Sequence, residues 1–238
     1  MKTRILLLTV LTSVLLTSCV STNFVQVYKA MPSDKLVMQD DRIVYEDDNC
    51  KVTYYLWSEG GNIGFQFFNK TDKNIYVKLE ESFFILNGIA HNYYKNRVFT
   101  NLDSSISYNE EKDVCIPPNT SKNISEYNIN ESLFRDCDLF KFPTKKQITT
   151  KSFTKEQSPL VFSNRIAYSV GKNDNLIKFE NEFYVTEISN YPENEFIEWK
   201  YEKYCGQESM YMKEFFKNVS ADKFYIKYSR GQLDDWKH

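Results

Sequence analysis

Histidine is almost missing from this chain: His91 and the terminal His238 are the only two in 238 residues. A Ser-His-Asp or Cys-His machine would therefore have to be built on His91. No Gly-x-Ser-x-Gly elbow accompanies it. His-Glu-x-x-His segments and Gly-rich phosphate loops are also missing, and there are only seven glycines to make loops from. No two cysteines stand at the close spacing of structural zinc ligands, so neither metal nor cofactor is expected. Dense basic blocks are missing too. Lys145-Lys146 is the nearest approach, and the net charge is −2. Nucleic acid calls for a clustered basic surface, so it is not an expected partner. Glycosidase-type catalysis needs only two carboxylates at a suitable separation. Glu80, Glu81, Glu180, Glu182, Glu195 and Glu198 are candidates, but most fall on the polar phase of expected strands, where a solvated face explains them. No catalytic residue is assigned.

Long apolar runs are missing with one exception. After Lys2 and Arg4, Ile5 to Leu16 is broken only by Thr9, Thr12 and Ser13. A run of about a dozen residues suits a secretory signal core, whereas a spanning helix needs roughly 20. The run ends in Leu16-Thr17-Ser18-Cys19, which resembles the lipobox of bacterial lipoproteins. The resemblance implies that residues 1–18 are a signal peptide and that Cys19 becomes the mature N-terminus. It also implies a diacylglycerol thioether on the Cys19 thiol and a further acyl chain on its amine. Two or more chains anchor stably where one does not. Val20 stands where an inner-membrane retention signal has Asp, so the resemblance implies the outer membrane of a Gram-negative cell. Val20 to Asn23 carries no acidic export run, which favours the periplasmic face. Losing Lys2 and Arg4 makes the mature chain two charges more negative.

What is plentiful is aromatic: seventeen Tyr and eighteen Phe. Such side chains suit half-buried pleated surfaces. Residues 19–34 read as lipidated N-terminus and tether or first strand, with Asn23 to Ala30 the strand candidate. Cys50, Val52, Tyr54 and Leu56 alternate with polar residues, then Ile63, Phe65 and Phe67, then Ile75, Val77 and Leu79. Ser82 to Leu86 follows, closed by Asn87-Gly88, a strong tight-turn signal. Strands about ten residues apart are the rhythm of a sandwich or barrel. Phe68-Asn69-Lys70-Thr71, Glu81-Ser82-Phe83-Phe84, Asn87-Gly88 and Tyr93-Tyr94-Lys95-Asn96-Arg97 are similar to a block found in small uncharacterised Gram-negative lipoproteins. That resemblance implies an immunoglobulin-like sandwich and no activity.

Thr100 to Glu111 is expected to be a loop, and Lys141 to Pro159 a long connection. Asn130 to Leu139 is expected to be a short helix capped by Asn130. Strand character returns at Phe162 to Val170, Leu176 to Ile188, Ile197 to Cys205 and Phe224 to Tyr228. Ser209 to Asn218 is expected to be an amphipathic helix, pairing Tyr211 with Phe215 and Met212 with Phe216. The whole is expected to be one all-β domain over 35–238, an antiparallel immunoglobulin-like β-sandwich with one or two short helices.

Besides Cys19 there are four cysteines, and four allow three pairings. Cys50 and Cys205 share the apolar phase of their strands, which favours a Cys50–Cys205 bridge between sheets and leaves Cys115–Cys137. The second bridge would be worth roughly 3 kcal/mol on the chain-entropy model. Tyr55 and Trp57 point opposite to Tyr54 and could stack on sugar rings if their face is open; packing under a loop or helix is the competing expectation. The leading expectation is a non-enzymatic envelope lipoprotein with a structural or protein-interaction role, held to the membrane through Cys19. The alternative is a glycan-binding lipoprotein in nutrient capture.

Overall fold

The computed structural model describes residues 23–101, 106–172 and 174–231, with backbone alone at 99–101 and 106–108. The signal segment 1–18, Cys19, Val20, Trp236 and His238 lie outside the described residues. The chain is all-β and antiparallel. Its strands are β1 (Asn23–Pro32), β2 (Val37–Gln39), β3 (Arg42–Glu46), β4 (Cys50–Tyr54), β5 (Phe65–Asn69) and β6 (Ile75–Lys78). Then come β7 (Phe83–Leu86), β8 (Ile89–Asn92), β9 (Val98–Asn101), β10 (Ile106–Asn109), β11 (Asp113–Ile116) and β12 (Ser121–Ile124). Last are β13 (Thr150–Ser152), β14 (Val161–Val170), β15 (Ile177–Pro192), β16 (Ile197–Tyr204), β17 (Gln207–Phe216) and β18 (Lys223–Ser229). One helical turn, α1 (Glu193–Phe196), separates β15 from β16.

Two sheets carry the body. The first runs β11-β6-β14-β15-β1-β18, with β13 added to β15 and the β7–β8 hairpin added to β14. The second runs β12-β5-β4-β3-β2. Their inner faces close one core: Val52, Tyr54, Phe65 and Phe67 from the second meet Ile75, Ile166, Tyr168 and Phe183 from the first. This is the expected sandwich. Each large apolar side chain buried there contributes roughly 1.5–3 kcal/mol. Tyr54 packs edge-on against Phe183, and Phe162 stacks on Phe183, both at 5.3 Å. In β4, buried Cys50, Val52 and Tyr54 alternate with half-buried Lys51 and Thr53. A one-residue slip would turn that whole set outward.

Polar groups inside the sandwich add a second constraint. Asn164 and Asn181 face each other across β14 and β15 and are fully buried. Asn181 Nδ2 donates to the Tyr54 hydroxyl at 2.8 Å, and the Tyr93 hydroxyl donates to Asn164 Oδ1 at 2.7 Å. Asn164 Nδ2 donates to the Ile63 carbonyl at 2.9 Å. Burial pushes the Tyr54 and Tyr93 hydroxyls well above their ordinary value, so they stay protonated.

Strand β1 is buried on both faces. Tyr28 and Ala30 join the main core, while Val25 and Val27 join a second cluster with Phe196, Ile197 and Tyr225 on the other side. Asn87 and Gly88 adopt φ of 47° and 82° between paired Leu86 and Ile89, a two-residue turn that needs both angles positive. Gly61 has φ +76° at its neighbour Gly60 and +73° itself, and an added Cβ would lie 2.8 Å from both Ile129 and Phe224.

Three expectations fail. Ser209 to Asn218 is not a helix; it lies mostly in β17, paired with β16 through a tight turn at Cys205-Gly206. The i, i+4 aromatic pairs that suggest a helix also fit alternation, and the turn decides between them. Asn130 to Leu139 is not a helix either. Asn130 Oδ1 accepts the Ser132 amide at 3.0 Å, and buried Gln26 satisfies both backbone groups of Phe134. Side chains thus supply the hydrogen bonds that helix formation would have supplied. Thr100 to Glu111, expected as a loop, instead contributes Thr100 and Asn101 to β9 and Ile106–Asn109 to β10, which pair antiparallel.

Gly61→Ala should lower stability by about 2 kcal/mol, because Cβ overpacks the core at a positive φ. Gly88→Ala, whose Cβ meets nothing within 4 Å, should cost about 1 kcal/mol. Thermal melts of the two variants check the order.

Candidate functional site

Strands β16 and β17 form a two-stranded sheet of their own. Their register runs from Ile197↔Phe216 to Tyr204↔Gln207, with an irregularity between Tyr201 and Lys203. Cys205 and Gly206, at φ 49° and 80°, make the turn. Beyond Ile197 the ribbon has no buried residue, and both of its faces meet solvent. Tyr204, Met210 and Tyr211 are 80%, 87% and 78% exposed, and Trp199, Tyr201 and Met212 are about half exposed. A lone hairpin is marginally stable in water, and an apolar surface of this kind marks a contact site.

The ribbon is held at its base. Phe216 packs on Tyr225 at 4.6 Å and edge-on to Trp57 at 5.5 Å, and Trp57 also meets Phe196 and Tyr225. The Lys217 amide donates to the Phe196 carbonyl at 2.9 Å. The direction follows from where β17 and its sequel touch the body. Asn218 and Val219 share a depression with Lys29 and Lys223. Phe216 lies on Tyr225, and Glu214 pairs with Lys227 at 2.6 Å. Asn23 is paired with Ser229, just past Lys227. The ribbon therefore runs along the outer side of β1 and β18 and projects past the end at which β1 begins.

Its charges are matched. Glu198 pairs with Lys200 at 3.5 Å, Glu208 with Lys203 at 3.0 Å, Glu202 with Lys213, and Glu214 with Lys227 of the body. Sequence patterning missed the ribbon as a projecting element because alternation of Ile197, Trp199 and Tyr201 reads as a core face. The available signal was the Cys205-Gly206 dipeptide between two alternating runs.

The structure places Tyr55 and Trp57 in one depression of about 440 Å³ on the outer side of the second sheet, with Gln66, Asn123 and Ser125. The Arg42 guanidinium lies over the Tyr55 ring at 4.1 Å, and Trp57 is engaged with the ribbon base. His91 stands on exposed β8 against Phe84 and Tyr127. Each of the six candidate carboxylates pairs with a base. The partners are Lys112 for Glu80, Lys178 for Glu81, Arg165 for Glu180, Lys155 for Glu182, Lys145 for Glu195 and Lys200 for Glu198. Burial pushes the Glu180 carboxyl up, but hydrogen bonds from Ser163 and Arg165 outweigh it and leave it below the usual 4.5. That is the wrong direction for a general acid. Among the described residues, no group of three His, Cys, Asp or Glu could hold a metal ion.

The expected bridges are not formed: Cys50, Cys115, Cys137 and Cys205 are free thiols. Cys50 is buried in β4, whereas Cys205 is exposed in the ribbon turn. Counting by twos carries the strand one residue past Tyr204 into that turn. Cys115 is half-buried in β11, opposite Tyr76, and Cys137 is exposed in the 130–142 segment.

One ionic cluster fixes the segment after β8. Arg97 Nη2 donates to Glu110 Oε1 at 2.6 Å and to Glu126 Oε1 at 2.9 Å, while Glu110 also accepts the Lys95 amide at 2.8 Å. Burial pushes both carboxyls up, but these donors outweigh it and hold each below 4.5.

Comparison with protein-family models, with curated proteins and with solved structures returns no match.

Two measurements follow from these side chains. A small thiol reagent should modify Cys137 and Cys205 on the native protein and reach Cys50 only on unfolding, because burial pushes that thiol up and shields it. Mass spectrometry of labelled peptides reads this. Carboxyls depressed by folding stabilise the fold above their ordinary value, and that contribution is lost as pH falls through the lower folded values. The melting temperature should therefore drop below about pH 4.5, and Glu110→Gln should make the drop shallower.

Proposed function

We propose that this chain is a lipid-anchored protein of the bacterial cell envelope that works by contact and not by catalysis. Cys19 carries the lipid, and the body faces the periplasm from the outer membrane. The observation that carries this reading is the ribbon: a polypeptide arm with exposed Trp199, Tyr201 and Met212 on one face, Glu198, Lys200 and Lys213 on the other, its charges neutralised pairwise and, among the described residues, no strand of the body hydrogen-bonded to its edges. Maintaining such an arm costs stability, because beyond Ile197 and Phe216 at its base its apolar side chains are left out of the core. That cost makes sense where something outside the body covers them. The pairing of each candidate carboxylate with a base supports the non-enzymatic side of the reading.

A second reading is favoured by one observation. The depression at Tyr55 and Trp57 combines ring edges with the amides of Gln66 and Asn123 and the guanidinium of Arg42. Amides and a guanidinium are the donors that sugar hydroxyls need, so a glycan in nutrient capture is the ligand class for that face.

The leading reading is tested in growing cells. The mature protein should carry acyl groups on residue 19, Cys19→Ser should release it from membranes, and protease should reach it only after the outer membrane is permeabilised. A photo-crosslinking residue at Tyr211 should form an adduct that the same residue at Lys122 on the body does not. A soluble, unacylated mature chain without such an adduct overturns it. Oligosaccharide binding abolished by Trp57→Ala would promote the second reading.

A further inference from the structure

We propose that the depression at Tyr55 and Trp57 is one half of a longer groove, and that the groove takes a linear oligosaccharide without acidic groups. This rests on the glycan reading of that face and adds the length and charge of its ligand. The structure turns on one glycine. Tyr54, Phe65 and Ile124 stand side by side across β4, β5 and β12, and Tyr55, Gly64 and Ser125 lie one step beyond them. A Cβ at Gly64 would lie 2.6 Å from Ser125 Oγ and 2.7 Å from Asn62 Oδ1. Glycine leaves room there for a fixed amide: Asn62 Oδ1 accepts the Gly64 amide at 2.7 Å and the Ser125 hydroxyl at 3.0 Å. An oxygen tied twice sets the plane of its amide, and Asn62 Nδ2 meets no acceptor among the described residues. Its two hydrogens are held ready for a ligand.

Asn62 and Ser125 line two depressions at once. The first, of about 440 Å³, is the one at Tyr55 and Trp57. The second, of about 460 Å³, continues past them between Ser58-Glu59 and the 125–131 segment, with Asn128 and Glu131 in its wall. The two segments that line it are tied together by the Asn62–Asn128 bridge, and the Ile129 amide donates to the carbonyls of Gly60 and Gly61 at 3.0 and 2.8 Å. The walls are therefore set in advance, which leaves little ordering for binding to overcome. The lining suits hydroxyls along its whole length. Gln66 and Asn123 in the first half and Asn128 in the second carry side-chain amides with no partner among the described residues. The Ser58 hydroxyl is buried without one too. Amides and hydroxyls both give and accept hydrogen bonds, as sugar hydroxyls do. Charge then decides between kinds of chain. Glu126 is neutralised by Arg97 and Lys95, whereas Glu59 and Glu131 have no base beside them among the described residues. A uronate or sulfate in the second half would face two uncompensated carboxylates, while a neutral hydroxyl would find strong acceptors.

The test is calorimetric titration of the full-length protein, held in a zwitterionic detergent that has no sugar headgroup. The probes are neutral oligosaccharides of the glucan, xylan and mannan series, from two to six units long. Oligogalacturonates of the same lengths serve as the acidic chains. The expected result is a neutral series whose affinity climbs about tenfold with length and then levels off, while the oligogalacturonates do not bind. Gln66→Ala, in the first half, should weaken every length several-fold. Asn128→Ala, in the second half, should weaken the long chains several-fold and the disaccharide not at all. Asn62→Asp keeps the oxygen that holds Gly64 and Ser125 and removes the donor, so it should weaken every length while the melting temperature holds. Affinity that does not grow with length, or long chains indifferent to Asn128→Ala, overturns the groove and leaves the first depression standing as a glycan site. Acidic chains that bind as tightly as neutral ones overturn it as well. Silence across every series overturns both the groove and the glycan reading beneath it.

Discussion

Everything in this molecule depends on β1 being buried on both faces. A ten-residue strand that pairs with β15 on one side and β18 on the other has no solvent edge. Its even residues from Phe24 to Ala30 look toward the interior and the 130–142 segment. Val25 and Val27 look toward α1 and the ribbon base. A strand covered this way needs two layers of material, and the chain supplies them from its far end. Residues after Pro192 turn through α1, lay Phe196 and Ile197 on β1, and leave as β16. The ribbon thus exists in its position because β1 needed a second cover.

The interior polar groups serve register more than stability. Asn164 and Asn181 are opposed across two neighbouring strands, and each reaches one tyrosine hydroxyl. A shift of either strand would strand an amide in apolar surroundings, which costs more than a lost contact between methyl groups. Gln26 plays the same part on β1. It accepts from the Tyr28 hydroxyl, donates to Asn190, and holds Phe134 by both backbone groups. An irregular segment with no helix or sheet of its own is thereby fixed by side chains of the strands beneath it, with Asn190 and Tyr228 holding the carbonyls of Phe140 and Lys141.

Much of the body was legible in the sequence because burial on one face writes a period of two. The alternations at Cys50 to Tyr54 and Ile75 to Lys78 are that kind of signal, and Asn87-Gly88 marked its turn through a backbone requirement. The ribbon wrote the same period without the burial. Alternation reports two faces but not whether either is covered, so Trp199 and Tyr201 looked like core. Cys205 then looked like a bridge partner for Cys50, though it occupies a turn. The segment at Asn130 was illegible for another reason. Its hydrogen bonds go to Gln26, more than a hundred residues away, and no local pattern records that. As for the contact surface, composition showed the aromatics, but only the placement of β16 and β17 showed which of them had been left outside.

The two-sided pairing of β1 also decides how a pull on the chain ahead of Asn23 would be borne. A tether leaving from Asn23 draws on the strand along its own axis. The hydrogen bonds to β15 and β18 lie across that axis, so they are loaded together in shear and not opened one by one. The ribbon, whose two strands end in a free turn, would peel from its tip. Under tension, β1 would be the last element to yield and the ribbon the first.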